Sequence, residues 1–188
     1  MALRAERSRQ LAEVRLQMLK TQIEPHFIFY TLAHLKALIK SDTMVAESMA
    51  DELSDFLRAS LLSLRQDRMT VAQDFELVHA YLALASLRMG ARLTVDLQME
   101  STTIALSVPP LMLQTLVENA IQHGMEPKLG PGHIRVSARL DSARAMPQLV
   151  LEDADDGVSF GQAKTGGSGL GLVNIRERLA TAFGSHSL

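Results

Sequence analysis

The chain of 188 residues contains no cysteine, which excludes a disulfide framework, a thiolate metal site and a thiol nucleophile. That composition fits a reducing compartment, with the cytoplasm as the expectation. No apolar run reaches the roughly 18 residues needed to span a bilayer, and the opening MALRAERSRQ lacks the apolar core of a signal peptide. Any membrane connection is therefore expected through a segment upstream of this sequence. The opening of Met1 directly into helical sequence and the abrupt stop after Gly184 suggest a piece of a longer chain. Basic charge is not in excess either. Nineteen Lys and Arg against 21 Asp and Glu give a formal net charge of −2, and the basic residues are scattered, which argues against nucleic acid as a partner. There is no internal repeat and no long low-complexity tract. What is present is a hydrophobic content of 47%, ordinary for a globular protein, in a length that suits one domain and a smaller helical module.

The helical module is read from spacing. Leu11, Val14, Met18, Thr21, Pro25, Ile28, Leu32, Leu35 and Ile39 step alternately by three and four, a heptad seam in which Thr21 and Pro25 are the imperfect positions. Ser41, Asp42 and Thr43 interrupt it with capping side chains. Ala46, Met49, Leu53, Phe56, Leu57, Ser60, Leu61 and Leu64 then mark a second amphipathic helix. The pair reads as a helical hairpin over residues 1–68. One hairpin buries little, whereas two cover both stripes as a four-helix bundle, so a homodimer is expected.

Near Met69 the pattern changes. A helix is expected over 73–89, then strands at Leu93 to Met99 and at Ile104, Leu106 and Val108, followed by a helix from Leu111 to His123. Strands at Ile134 to Leu140 and Leu149 to Leu151 and a helix from Leu170 to Ala182 complete an α/β sandwich over residues 69–188. The fold class is therefore α+β, a helical hairpin followed by a layered domain.

Three clusters could carry chemistry. The stretch GVSFGQAKTGGSGLG holds six of the eleven glycines just before the last helix. Backbone N–H groups there can converge on phosphate, yet the same loop also reads as a surface linker or a glycine cap. It is neither a Walker A loop nor a Rossmann fingerprint. In LVENAIQHG, Glu118, Asn119 and His123 lie on one helix, with Asn119 and His123 sharing a face. They are either a solvated face or the oxygen donors that Mg²⁺ and its waters need. Asp155-Asp156-Gly157 follows a strand. It is either an Asp-Gly turn or a carboxylate placed to accept from an exocyclic amine such as that of adenine.

The order of these elements resembles the asparagine box and the two glycine boxes of the GHKL (Bergerat-type) ATPases. The stretches LKTQIEPHFIFYTL, FLRASL, AYLALASLRMGARL, VPPLMLQTLVENAIQHG and GSGLGLVNIRERL resemble the LytS-type sensor histidine kinases, in order and over nearly the whole chain. The resemblance implies an ATP- and Mg²⁺-dependent protein-histidine kinase. His26 would be the phosphoacceptor, Glu118 its orienting or activating residue, Asn119 the Mg²⁺ ligand, and Asp155 the adenine reader. Gly167, Gly169 and Gly171 would form the phosphate loop, with His123, Gly157 and Leu170 counted in the ATP site. It also implies a response regulator receiver domain as partner.

The spacing of residues agrees on His26, which falls one step beyond Pro25 and so beside the seam, although a lone helical histidine is more often a surface residue. A mid-helix proline costs about 3 kcal/mol and can bend the helix there. The chain departs from the family's pattern at Tyr30, where an asparagine is usual, at Ser159, where the second glycine of its box stands, and at Gln122, commonly lysine. The strands expected after Phe183-Gly184 are missing. Two rival readings follow: a nucleotide-binding or docking scaffold with a vestigial site, and an ATPase of the same fold with water as acceptor.

Overall fold

The structure, a computed structural model, describes residues 25–63, 65–143, 147–158 and 170–184. The seam positions Leu11 to Thr21 and Gly167 and Gly169 of the glycine loop lie outside them. The chain forms two compact units divided between Ser48 and Met49, and its helices are followed by a mixed sheet, the α+β class expected.

Helix α1, Pro25–Ser41, and helix α2, Thr43–Ser63, meet at the single residue Asp42. The Asp42 carboxylate accepts the Val45 N–H at 3.2 Å, capping α2 as the Ser-Asp-Thr cluster suggests. The backbone before Pro25, needed to judge the bend expected at that proline, lies outside the described residues. In α1 the seam residues Leu32 and Ile39 are exposed, and Phe29 beside them is 72% exposed. In α2 the predicted stripe is buried at Ala46, Met49, Leu53, Phe56 and Ser60, while Leu61 is exposed.

From Met49 onward a single core forms. The Phe56 ring of α2 lies 5.9 Å from that of Tyr81 on helix α3, Val71–Met89. The sequence pattern places the start of this helix two residues too late, because Thr70 caps it. The Thr70 hydroxyl accepts from Gln73 N and the Gln73 side chain accepts from Thr70 N, a reciprocal capping box. Strand β1, Met69–Thr70, pairs antiparallel with β3, Ser107–Val108. The longer strand expected from Ile104 is not formed. Residues 101–105 turn instead, and the carbonyls of Leu106 and Ile104 accept the Val71 and Ala72 N–H groups at 2.9 and 3.2 Å. Those donors at the head of α3 have no partner within their own helix, and satisfying them outweighs extending a two-residue ladder.

The main sheet has the order β2-β4-β5. Strand β2, Leu93–Met99, runs parallel to β4, Gly132–Asp141, which runs antiparallel to β5, Gln148–Asp155. Along β4, Ile134, Val136 and Ala138 are buried and Arg135 and Arg139 exposed. Period-2 alternation of this kind marks a sheet covered on one face. Helix α3 packs against β2, helix α4, Met112–Asn119, packs against β5, and helix α5, Leu170–Phe183, packs against α4.

Candidate functional site

Helix α4 ends at Asn119, earlier than the His123 expected, and Ala120–Met125 continue it as a wider π turn in which the Glu126 N–H bonds to the Ile121 carbonyl five residues back. The physical reason is the approach of Gly124 to the end of β5. The Gly124 carbonyl accepts the Val158 N–H at 3.0 Å, and a Cβ on Gly124 would lie 2.7 Å from Asp155 Oδ1. A Cβ on Gly157 would lie 2.4 Å from the Gly124 Cα. Only two glycines let the backbones meet this closely. The helix of Glu118 and Asn119 is thus joined to the strand end of Asp155 and Gly157.

Glu118 is half-buried, and its Oε1 accepts from Gln114 Nε2 at 2.7 Å. Asn119 donates Nδ2 to the Thr115 carbonyl at 2.9 Å, which turns its Oδ1, the atom a hard cation would take, away from that bond. His123 lies in the π turn, with Nδ1 buried and without a hydrogen-bond partner among the described residues. Asp155 Oδ1 accepts the Gly157 N–H at 2.8 Å, closing the Asp-Gly turn. Its exposed neighbour Asp156 accepts the His133 N–H at 2.7 Å and pairs with Lys128 at 2.9 Å, and these bonds hold its carboxyl below the usual carboxylate range. Leu170 and Gly171 open helix α5, and His26 stands in the first turn of α1.

The residue pattern alone misses several groups here. Asp153, two residues before Asp155 on the same face of β5, has a buried Oδ1 unpartnered among the described residues. Burial, with the Asp155 charge second, pushes its carboxyl up to about 7. Asp74 of α3 is fully buried, and its Oδ2 accepts the Leu113 N–H at 3.0 Å. Burial raises its carboxyl to about 6 against the lowering effect of the α4 N–H groups and Arg178. Gly124 was legible as a glycine after the histidine but had no distinct signal of contact. Arg88 of α3 and Glu126, the residue after the π turn, form a part-buried ion pair.

Among the described residues no three His, Asp or Glu side chains gather to hold a metal. A Mg²⁺ at Asn119 would therefore draw most of its oxygens from phosphates and water, its ordinary preference. The Asn119 amide oxygen fits that role.

Residues 14–93 match the family model described as Histidine kinase. The chain is 33% identical over 175 residues to the sensor histidine kinase YesM of Bacillus subtilis, covering 93% of this chain and 30% of that protein. To the sensor histidine kinase BtsS of Escherichia coli it is 32% identical over 174 residues, with the same coverage. By sequence it is a relative of the LytS-type sensor histidine kinases. The sensor histidine kinase/phosphatase LytS of Staphylococcus aureus is 30% identical over 186 residues, 94% of this chain and 32% of that one. The chain thus spans about a third of the length of these relatives. A solved histidine kinase domain from Erythrobacter litoralis overlays at a TM-score of 0.45 with 16% identity, over 95% of this chain and 84% of that one, a distant likeness. Among the described residues no helix is long and apolar enough to cross a membrane.

Proposed function

We propose that the chain is the catalytic core of a two-component sensor histidine kinase, which phosphorylates His26 from ATP and passes the phosphoryl group to an aspartate of a response regulator receiver domain. In this reading residues 1–68 dimerise and carry the acceptor, and residues 69–188 form a GHKL ATP-binding domain. The observation that supports it is the junction at Gly124 and Gly157, which joins the π turn after the helix of Glu118 and Asn119 to the strand end of Asp155. That junction stands in a chain that also bears Pro25-His26 on a helix.

Asp155, anchored by its own turn, would accept from the exocyclic amine of adenine. The glycine loop with Gly167, Gly169, Leu170 and Gly171 would cradle the phosphates at the head of α5, and His123 and Gly157 would line the site. Asn119 would hold Mg²⁺, which supplies charge neutralisation at the phosphates when bound. A neutral ring nitrogen of His26 then attacks the γ-phosphorus in line, the bond to the β–γ bridging oxygen breaks, and ADP leaves. An unperturbed histidine, with a pKa near ~6.5, is largely neutral at physiological pH. Glu118, held by Gln114, would orient the acceptor or take its proton, and positioning would supply most of the rate.

A second reading, a docking scaffold with a vestigial site, is favoured by Tyr30, a half-exposed tyrosine four residues after His26 where the resemblance leads one to expect asparagine. The deciding experiment is incubation with γ-labelled ATP and Mg²⁺, scoring acid-labile, base-stable label on the protein. The kinase reading expects label that His26→Gln and Asn119→Ala each abolish. Label undiminished in His26→Gln removes the acceptor assignment. Absence of both label and ATP binding selects the scaffold.

A further inference from the structure

The start of helix α4 is held from two sides. Leu111, immediately before it, has φ of 62° and a buried side chain. For a leucine that left-handed backbone is strained, and it persists only where the surroundings over-determine it. One residue earlier, Arg178 of α5 donates Nη1 to the Pro110 carbonyl at 2.8 Å. Two residues later, the Leu113 N–H donates to Asp74 of α3, whose carboxylate also faces the N–H groups of Met112 and Gln114. Helix α4 has no side-chain cap of its own, so a buried carboxylate from another helix meets its unpaired donors and the positive end of its dipole. Asp74 and Arg178 also attract one another. From that first turn Gln114, itself buried, reaches Glu118.

We propose that Asp74 and Arg178 form a clamp joining helix α5, which follows the glycine loop, to the start of the helix that bears Glu118 and Asn119. Both are positioning residues. A shift of α5 is passed through Pro110 and Asp74 to α4, and through Gln114 to Glu118. What is positioned rests on the kinase reading, whereas the clamp between the two helices does not.

The test uses the full chain as wild type, Asp74→Asn, Arg178→Gln and the double variant, with amide hydrogen exchange as the first readout. Asparagine keeps an acceptor for Leu113 and suits a buried site, so the fold is retained, and protection of β4 checks this. Each single variant is expected to speed exchange in both Met112–Asn119 and Leu170–Phe183 by about five-fold or more, with the double variant no worse than either single one. Acceleration confined to one helix, or effects of the two substitutions that simply multiply, would overturn the clamp. Binding of Mg²⁺-ATP by calorimetry and autophosphorylation are then compared. The clamp expects the rate of labelling to fall more than ATP affinity in Asp74→Asn, and an equal fall in both removes the positioning role. A wild type that binds no ATP sinks the kinase reading while leaving the exchange result to decide the clamp.

Discussion

Asp153 shows how one carboxyl ties local burial to pH. It faces the helix side of β5, opposite Val136, which is fully buried, and its proton is held up to about 7. A carboxyl raised by folding binds protons more tightly in the folded state. Its contribution to stability is therefore fully present below the unfolded value near ~4 and is lost as pH rises through about 7. Asparagine has no proton to lose. Asp153→Asn should match the wild type near pH ~4 in urea denaturation, become more stable as pH rises, and plateau above neutrality with a gain of up to about 4 kcal/mol. A gap that does not vary with pH would mean that the Asp153 carboxyl is not raised at all. Residue type at this position was visible in the sequence, but burial of the first aspartate in the run Glu152 to Asp156 was not. It depends on the strand register that turns Asp153 inward and Glu152 outward.

At the level of elements, periodicity was the legible part. The strand Leu93–Met99 and the last helix fall where alternation and the 3.6-residue period place them. Misplacements arise where tertiary partners replace local ones: the carbonyls at Ile104 and Leu106 that cap α3, and the π turn after Asn119. A spacing of four between Asn119 and His123 assumes an α-helix throughout, and no pattern of residue types reports a change of helical pitch. The glycine pair that causes the change gives a graded prediction. A methyl on Gly157 would strike backbone atoms of Gly124 at 2.4 and 2.5 Å, whereas a methyl on Gly124 meets first the Asp155 carboxylate, which can rotate away. Gly157→Ala is expected to destabilise by roughly 2–3 kcal/mol, and Gly124→Ala by less. Thermal melts of both variants check the order. If Gly124→Ala proves the more damaging, the backbone contact is not what limits the junction.

For the whole molecule, the sequence conveyed the succession of helices and layered sheet through its change of period near Met69. The motif-bearing residues stand out in the sequence because glycine, asparagine and aspartate have few substitutes where backbones meet or oxygens are needed. Packing across elements was the illegible part: α2 from Met49 onward shares the core of the residues after it, through Phe56 and Tyr81, and Asp74 reaches α4 from 39 positions away. Exposed apolar residues on and beside the seam argue for self-association. Phe29, Leu32 and Ile39 on α1 leave large apolar side chains in water, Ile39 at 58% exposure, and burying each against a second copy is worth roughly 1.5–3 kcal/mol when complete. A Leu32→Glu, Ile39→Glu double variant should therefore sediment as a monomer at concentrations where the wild type is dimeric. Because these residues lie on α1, away in sequence from Asn119 and Asp155, its Mg²⁺-ATP affinity should stay within about two-fold. In the kinase reading, phosphorylation of His26 needs only one helix to be reached by one ATP domain, so labelling of this monomeric variant separates two routes. Label appearing in the monomeric variant alone means that a chain phosphorylates itself, and label lost on monomerisation means that the partner's ATP domain does the work. A wild type that sediments as a monomer throughout would remove the dimer, and with it the reason for an apolar seam on α1.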